Sequence, residues 1–315
     1  MVAATKKTDR ITQIGTDHGL VRARTRIPPD GLVLASAERA DLLVDFSDLA
    51  PGSVLTLFNT AKAPFDGSPF AATRAETAAD LAGLLPHPEV MRFRVVPGSA
   101  RRQVFPAALA TDYRAPSPEE LSKAKRRAIA LVEREVEGET NMLTMRELAP
   151  ANDSDTTGLL TVTHEGIKTR YRAVAAHFED VTTFFPVLGE YEVWQLINLT
   201  GDTHPIHVHL DPFQILSRRP IRYEIADGDI EDLVISGAVT LEYDPADELD
   251  HRIDDNERGL KDTVRVNPNE VVDILVRFET FCGRYMYHCH ILEHEDRDMM
   301  RPIVIMPMQL DPFMS

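Results

Sequence analysis

Six of the eleven histidines of this 315-residue chain lie in two short segments of its C-terminal third. The first segment reads THPIHVHL (203–210) and the second reads YHCHILEH (287–294), with Met299 five residues further on. Imidazole and thiolate groups bind both copper and zinc in proteins, and a thioether is a typical ligand of copper. The two segments are therefore the candidate metal-binding part of the chain.

Strand geometry predicts how these donors divide between two centres. In an extended segment, residues i and i+2 point to one side and the residue between them points to the other. His288 and His290 therefore share one side, while Cys289 faces the opposite side. The same alternation places His207 and His209 together, so the two pairs can converge on one metal centre.

The second centre is predicted around Cys289. His294 follows it by five residues and Met299 by ten, and His204 comes from the first segment, where Pro205 fixes the local backbone. Two imidazoles, a thiolate and a thioether are the donor set of a blue-copper (type 1) electron-transfer site. A tetrahedral zinc site is the alternative, but zinc gains nothing from a thioether or from a second His-x-His pair on the opposite face.

The two segments resemble the third and fourth copper motifs of the multicopper oxidases, the laccase-like blue oxidases. HPIHVHL and HCHILEHEDRDMM carry this resemblance. The stretches ILEHEDRDMMRP, GLKDTVRVNPNE, QIGTDHG and AERADLLVDF are similar to the bacterial branch with spore-coat laccase, phenoxazinone synthase and the bilirubin oxidases. The resemblance covers nearly the whole chain, and implies the later part of the family's second cupredoxin domain and all of its third.

The resemblance implies a role for each clustered residue. The type 1 copper ligands would be His204, Cys289, His294 and Met299. The type 2 ligand would be His207, and the type 3 ligands would be His209, His288 and His290. Glu295 matches an acidic position that the family places beside the cluster as a proton donor; the alternative for it is an ordinary surface carboxylate.

The resemblance also implies a function. A laccase-like oxidase would take electrons from a small aromatic reductant, a phenol or aminophenol, at type 1 copper and reduce O2 to water at the trinuclear cluster. In the family, half of the cluster's histidines come from two His-x-His motifs in the first domain, and this sequence has neither. The remaining histidines are isolated and are interpreted as structural or surface residues: His18, His87, His164, His177 and His251.

We therefore expect a chain that lacks an N-terminal cupredoxin domain, with its type 1 site complete and its type 2 and type 3 ligands present only in part. The alternative function is a non-catalytic copper-binding electron-transfer module, or a truncated fragment in which only the type 1 site works. A face-to-face homodimer that pools two sets of histidines is a third, less favoured hypothesis. The isolated chain is expected to aggregate or to bind a complementary domain, because four unliganded histidines and the apolar face of half a sandwich are costly to expose.

The rest of the sequence predicts an all-β fold of cupredoxin-like Greek-key sandwiches, one partial and one complete. Short runs rich in Val, Ile, Leu and Phe are separated by Pro, Gly and Asp, which is typical of such sandwiches. We expect a partial second cupredoxin-like domain over 1–110, a linker over 111–130, and a C-terminal cupredoxin-like domain over 131–315. A short helix is predicted from Ser117-Pro118-Glu119-Glu120, a core position for Trp194, and a free thiol at Cys282.

Composition restricts the partners. The net charge of −16 argues against nucleic acid, whose phosphates require a basic face. Much of the acidic excess lies in 223–257, which we interpret as a surface insertion loop. No apolar run approaches the ~20 residues that span a bilayer, so no membrane partner is expected. The first residues lack the apolar core of a signal peptide, which makes the cytoplasm the default expectation, although the sequence does not specify location.

Overall fold

The computed structural model describes residues 10–28, 31–59, 61, 89–98, 104–110, 116–134, 142–155, 159–164, 167–225, 239–243 and 253–313. The chain divides into two compact units. Unit 1 comprises residues 1–34, 39–114 and 254–260, and unit 2 comprises residues 35–38, 115–253 and 261–315. Within the described ranges, no helix has the length and apolar character needed to cross a membrane.

Unit 1 contains two small antiparallel sheets in its described part. Its strands are β1 (Ile11–Thr16), β2 (Gly19–Arg26), β3 (Asp41–Val44), β4 (Val54–Phe58) and β5 (Glu89–Arg94). The first three form a sheet in the order β2-β1-β3, and β4 pairs with β5. Residues 31–36 lie outside these strands, although several of their side chains are apolar. A small core of Ile11, Ile27 and Leu32 lies in this unit.

Unit 2 contains the twelve remaining strands of the described chain. They are β6 (Lys125–Arg134), β7 (Met142–Pro150), β8 (Leu159–His164), β9 (Ile167–Ala175), β10 (Tyr191–Asn198), β11 (His204–Val208), β12 (Phe213–Ile225), β13 (Val239–Tyr243), β14 (Thr263–Val266), β15 (Glu270–Arg277), β16 (Gly283–Cys289) and β17 (Met300–Ile305). Eight of them close into a barrel in the order β10-β15-β12-β13-β8-β9-β7-β6. The other four form a sheet in the order β14-β11-β16-β17.

The main hydrophobic core lies between the four-stranded sheet and the barrel strands that face it. Ile129 and Trp194 belong to the barrel, Ile206 and Tyr287 belong to the sheet, and all four are fully buried. The sheet and the barrel strands that face it therefore pack as two layers of a β-sandwich around this core, while a second buried cluster that includes Ile197 and Val271 lies on the barrel strands. The strand-rich structure confirms the predicted all-β fold. The core position predicted for Trp194 is also confirmed.

The predicted helix is α1 (Pro118–Lys123). The Glu120 amide donates to the Ser117 hydroxyl at 3.2 Å, and the Ser117 amide donates to the Glu120 carboxylate at 2.8 Å. This reciprocal capping box confirms the helix start expected from the sequence. A second short helix, α2 (Leu292–Glu295), follows β16, and 3-10 helices occupy Asp255–Glu257 and Met308–Phe313.

The acidic stretch 223–257 is only partly described. Residues 226–238 and 244–252 lie outside the described residues, so the predicted surface loop is not tested there. Between them, β13 pairs with β12 and β8 and completes the barrel. This part of the stretch is therefore a strand rather than a loop. Residues 125–130, which we assigned to a linker, lie in β6.

Candidate metal centre

Two neighbouring strands bring the predicted metal-binding segments side by side. β11 and β16 pair antiparallel, with Ile206 opposite Cys289 and His207 opposite His288. Directly opposed residues point to the same side of a sheet, so His207 and His288 share one side and Cys289 lies on the other. His209 and His290 directly follow the two strands. The predicted division of the donors between two sides agrees with this register.

On the Cys289 side, three donor atoms form a compact triangle. The Cys289 Sγ atom lies 3.6 Å from Nδ1 of His204 and 3.7 Å from Nδ1 of His294, and the two Nδ1 atoms are 3.3 Å apart. A point equidistant from these three atoms lies about 2 Å from each, close to the ~2.0–2.3 Å of metal bonds to imidazole and thiolate. The triangle therefore fits a transition-metal ion without rearrangement.

The orientation of His204 is fixed from its other ring nitrogen. The Thr200 hydroxyl lies 2.7 Å from His204 Nε2 and donates its own proton to Asn198 Oδ1 at 2.9 Å. With this proton committed, Thr200 accepts a hydrogen bond from Nε2–H, which assigns the proton to Nε2 and leaves the Nδ1 lone pair facing Cys289. Asn198 is in turn held by its amide group, which donates to the Val266 carbonyl at 2.9 Å.

Burial controls the protonation of these donors. It lowers the pKa of His204 to about 3 and also lowers the pKa of His294, so both imidazoles are in their metal-binding neutral form at pH 7. Burial raises the pKa of the Cys289 thiol to about 12. A cation in the triangle would therefore displace a proton from Cys289 as it bound.

Met299, the predicted axial ligand, lies next to the triangle. The Cys289 amide donates to the Met299 carbonyl at 2.9 Å, and the Met299 amide donates to the His294 carbonyl at 3.0 Å. Its side chain is fully buried in the same core as Cys289. These contacts hold the Met299 backbone beside Cys289 and His294, and its role as axial ligand stays a prediction.

Four imidazoles cluster on the opposite side. The ring of His207 lies 4.9 Å from that of His209, 5.4 Å from that of His288 and 5.8 Å from that of His290, measured between centroids. The Nε2 atoms of His209 and His288 are 3.1 Å apart. Donor atoms of His207, His209 and His288 lie within 4.8 Å of one another, and His290 is in ring contact with this group. Burial lowers the pKa of His209 and His288, which favours their neutral, metal-binding form.

Oxygen atoms behind the imidazoles orient two of them. His207 Nδ1 donates to the Asp262 carbonyl at 2.8 Å, and His288 Nδ1 lies 3.2 Å from the Glu295 carboxylate. Both rings are thereby left with Nε2 directed away from these oxygens, as metal-binding histidines usually are. The Glu295 carboxylate therefore lies at the edge of this cluster, and its role as proton donor stays a prediction.

Sequence reasoning missed Thr200 and Asp262, which orient His204 and His207. Both residue types are common on surfaces, and nothing in their own spacing marks them. Asp262 does lie in the stretch GLKDTVRVNPNE that carried the resemblance, and this was the available signal.

The five isolated histidines and Cys282 lie outside the two clusters in the sequence, and the structure describes some of them. His18 is exposed, and His177 Nδ1 lies 3.1 Å from Asp298 Oδ2. The side chains of His87, His164 and His251 lie outside the described residues. Cys282 is a free, exposed thiol, which confirms its predicted unpaired state.

Known proteins match both the sequence and the fold. The family profile described as multicopper oxidase matches residues 154–309. The chain is 31% identical over 300 residues to a laccase from Bacillus subtilis, which covers 93% of this chain and 46% of the laccase. It is 31% identical over 297 residues to a laccase from Haloferax volcanii, which covers 93% of this chain and 38% of that protein.

The crystal structure of McoA multicopper oxidase from the hyperthermophile Aquifex aeolicus is similar with a TM-score of 0.59. The match is 23% identical and covers 97% of this chain and 51% of that one, so it shows the shared fold. The chain belongs to the multicopper oxidases, a family of copper oxidoreductases, and its fold is cupredoxin-like. It spans about half the length, or less, of these relatives.

Proposed function

We propose that the chain is the electron-accepting part of a laccase-like copper enzyme that couples one-electron oxidation of phenols or aminophenols to reduction of O2 to water. The arrangement of the two clusters supports this proposal most strongly. The Cys289 triangle and the four-histidine cluster lie on opposite sides of one strand pair, and the consecutive residues His288, Cys289 and His290 connect them.

The donor sets fit copper at both clusters. In the proposal, type 1 copper is held by His204, Cys289 and His294, with Met299 as the weak axial ligand. When bound, copper supplies one-electron acceptance at the triangle and oxygen chemistry at the histidine cluster. Zinc would also fit the bare triangle, but family membership and the buried thioether beside it favour copper.

The protein supplies the route between the two clusters. Because Cys289 is bonded directly to His288 and His290, the path from the thiolate to the imidazoles runs along consecutive residues without a gap. His207 is proposed as the type 2 ligand, and the other three imidazoles as type 3 ligands. Glu295, 3.2 Å from His288, is proposed to deliver protons at this edge of the cluster.

A complementary cupredoxin domain is proposed to complete the histidine cluster. This chain contributes four imidazoles at that cluster, while the family resemblance implies that an equal number comes from elsewhere. The chain also spans only about half the length of its relatives. The same facts favour the second candidate function, a copper-binding electron-transfer module in which only the triangle is active.

Reduction and reoxidation of the copper-loaded chain separate these functions. An aminophenol is added without oxygen, the blue absorption is followed, and O2 is then admitted at an oxygen electrode. The chain is measured alone and mixed with a cupredoxin domain that carries two His-x-His motifs. If the chain is part of an oxidase, the blue colour should bleach in both samples, and O2 should be consumed only in the mixture. If the chain is an electron-transfer module, the colour should bleach in both samples, and neither should consume O2.

Two variants serve as matched controls. Cys289→Ser removes the thiolate and should abolish both the blue colour and the O2 uptake. His209→Ala removes one imidazole from the histidine cluster and should leave bleaching intact while uptake is lost. O2 uptake that persists in Cys289→Ser would contradict the proposed route.

A further inference from the structure

The loop from Cys289 to Met299 carries three of the four proposed type 1 donors and is closed on itself. The Cys289 amide donates to the Met299 carbonyl at 2.9 Å, and the amides of Arg297 and Met299 both donate to the His294 carbonyl, at 3.1 and 3.0 Å. The position of His294 and Met299 therefore depends on the conformation of this one loop.

The loop turns back at Asp298, which has a φ of +79°. This left-handed backbone region favours glycine, and an aspartate adopts it at a cost that surrounding contacts must offset. The Asp298 carboxylate makes such contacts outside the loop. Its Oδ2 atom lies 3.1 Å from His177 Nδ1, and its Oδ1 atom accepts a hydrogen bond from the Phe178 amide at 3.2 Å.

The segment that receives Asp298 is itself firmly held. The Asp180 carboxylate accepts hydrogen bonds from the amides of Ala176 and His177 at 2.8 and 2.9 Å. The guanidinium group of Arg301 donates to the carbonyls of His177 and Val181. Residues 176–181 are thus held in place by these hydrogen bonds. They contact the loop from Cys289 to Met299, called the ligand loop below, from about 120 residues away in the sequence.

That support is anchored in the core. Arg301 is fully buried and pairs with the fully buried Glu147 carboxylate at 3.0 Å. Arg301 also lies only two residues after Met299, in β17. The ligand loop is therefore held from both directions: by Arg301 behind Met299, and by the Asp298 contacts with residues 177 and 178.

We propose that His177 and Asp298 are positioning residues for type 1 copper, which clamp the ligand loop so that Met299 and His294 keep their places. The inference rests on the proposed function, because it assumes that the Cys289 triangle binds copper. The weak axial ligand tunes the potential of such a site. Loss of the clamp should therefore change the spectrum and potential of bound copper without preventing binding.

Four variants test the clamp. His177→Ala removes the imidazole contact. Asp298→Gly removes both carboxylate contacts but suits the positive φ, so backbone strain does not confuse the result. Asp298→Asn keeps an oxygen for the Phe178 amide, and its NH2 group can donate to His177 Nδ1 when the imidazole proton moves to Nε2, so this variant should behave as wild type. Asp296→Ala changes a neighbouring exposed acid of the same loop and is the matched control.

Each variant is loaded with Cu(II), and its EPR hyperfine splitting, visible absorption and redox equilibrium with a one-electron mediator are measured. We expect His177→Ala and Asp298→Gly to bind copper as wild type does. Their spectra should change, and their equilibrium constants should shift about tenfold, equivalent to about 59 mV. Asp298→Asn and Asp296→Ala should match wild type.

The outcomes separate the two proposals. If wild type binds copper with a blue spectrum and all four variants match it, the clamp inference is wrong and the proposed function stands. If wild type itself gives no blue spectrum, the proposed function fails. Circular dichroism of the metal-free variants checks folding, and a spectral change in Asp296→Ala as large as that in His177→Ala would also overturn the clamp.

Discussion

The affinity of the Cys289 triangle for a metal ion should rise steeply with pH. Burial holds the pKa of His204 near 3 and the pKa of His294 below its ordinary 6.5, so both imidazoles are already neutral at pH 7. The Cys289 thiol, with its pKa raised by burial to about 12, is still protonated. Metal binding above pH 7 should therefore release one proton from this site, and the proton comes from Cys289.

The size of the effect follows from the pKa of the thiol. A pH of 7 lies about 5 units below the pKa of the thiol, so forming the thiolate costs about 7 kcal/mol. The metal–sulfur bond must offset this cost. Each pH unit reduces this cost by about 1.4 kcal/mol, or tenfold in affinity. Between pH 7 and pH 8.5 the affinity should increase about 30-fold, because the group stays protonated in the metal-free protein until the pH approaches about 12.

Cobalt(II) is a suitable probe, because its thiolate charge-transfer absorption reports only on the cysteine site. The titration uses a Cys282→Ser background, in which Cys289 is the single thiol, and Cys289→Ser as the control without a band. A slope of one proton per metal ion is expected. A flat profile would refute the reasoning, because it would mean that the thiolate already exists in the metal-free protein, and a slope of two would show that a second donor also titrates.

Three further predictions concern stability and are checked by urea unfolding. Glu147→Gln should cost about 3–5 kcal/mol, because it leaves the buried Arg301 charge without its partner; an unchanged midpoint would show that the pair is not needed. Ile206→Ala, at the fully buried position opposite Cys289, should cost about 2–5 kcal/mol, and a loss below this range would mean that the core closes around the cavity. Ser117→Ala should cost about 1 kcal/mol and Ser117→Asp much less, whereas equal losses would argue against the capping box.

The division of the site into two sides could be predicted from the sequence because it depends only on the alternation of side chains along a strand. His288, Cys289 and His290 are consecutive, so an extended backbone separates the thiolate from the imidazoles whatever the rest of the fold. The helix start at Ser117 was predictable for a similar reason, since all groups of the capping box lie within four residues.

Contacts between distant residues could not be predicted in this way. Nothing local specifies that Asp262 lies behind His207 or that Asp298 meets His177, because these contacts depend on which strands become neighbours. β13 was missed because it lies within a strongly acidic stretch, where pairing with β12 and β8 outweighs the local composition.

Copper stoichiometry resolved by type tests the central claim most directly. The purified chain is loaded with copper, and EPR and visible absorption are recorded for wild type and Cys289→Ser. We predict about one blue copper per chain, lost in Cys289→Ser, because the Cys289 triangle with Met299 is the only complete type 1 donor set in the described residues. A copper-loaded chain that gives no blue signal, or one whose blue signal survives Cys289→Ser, would contradict this assignment.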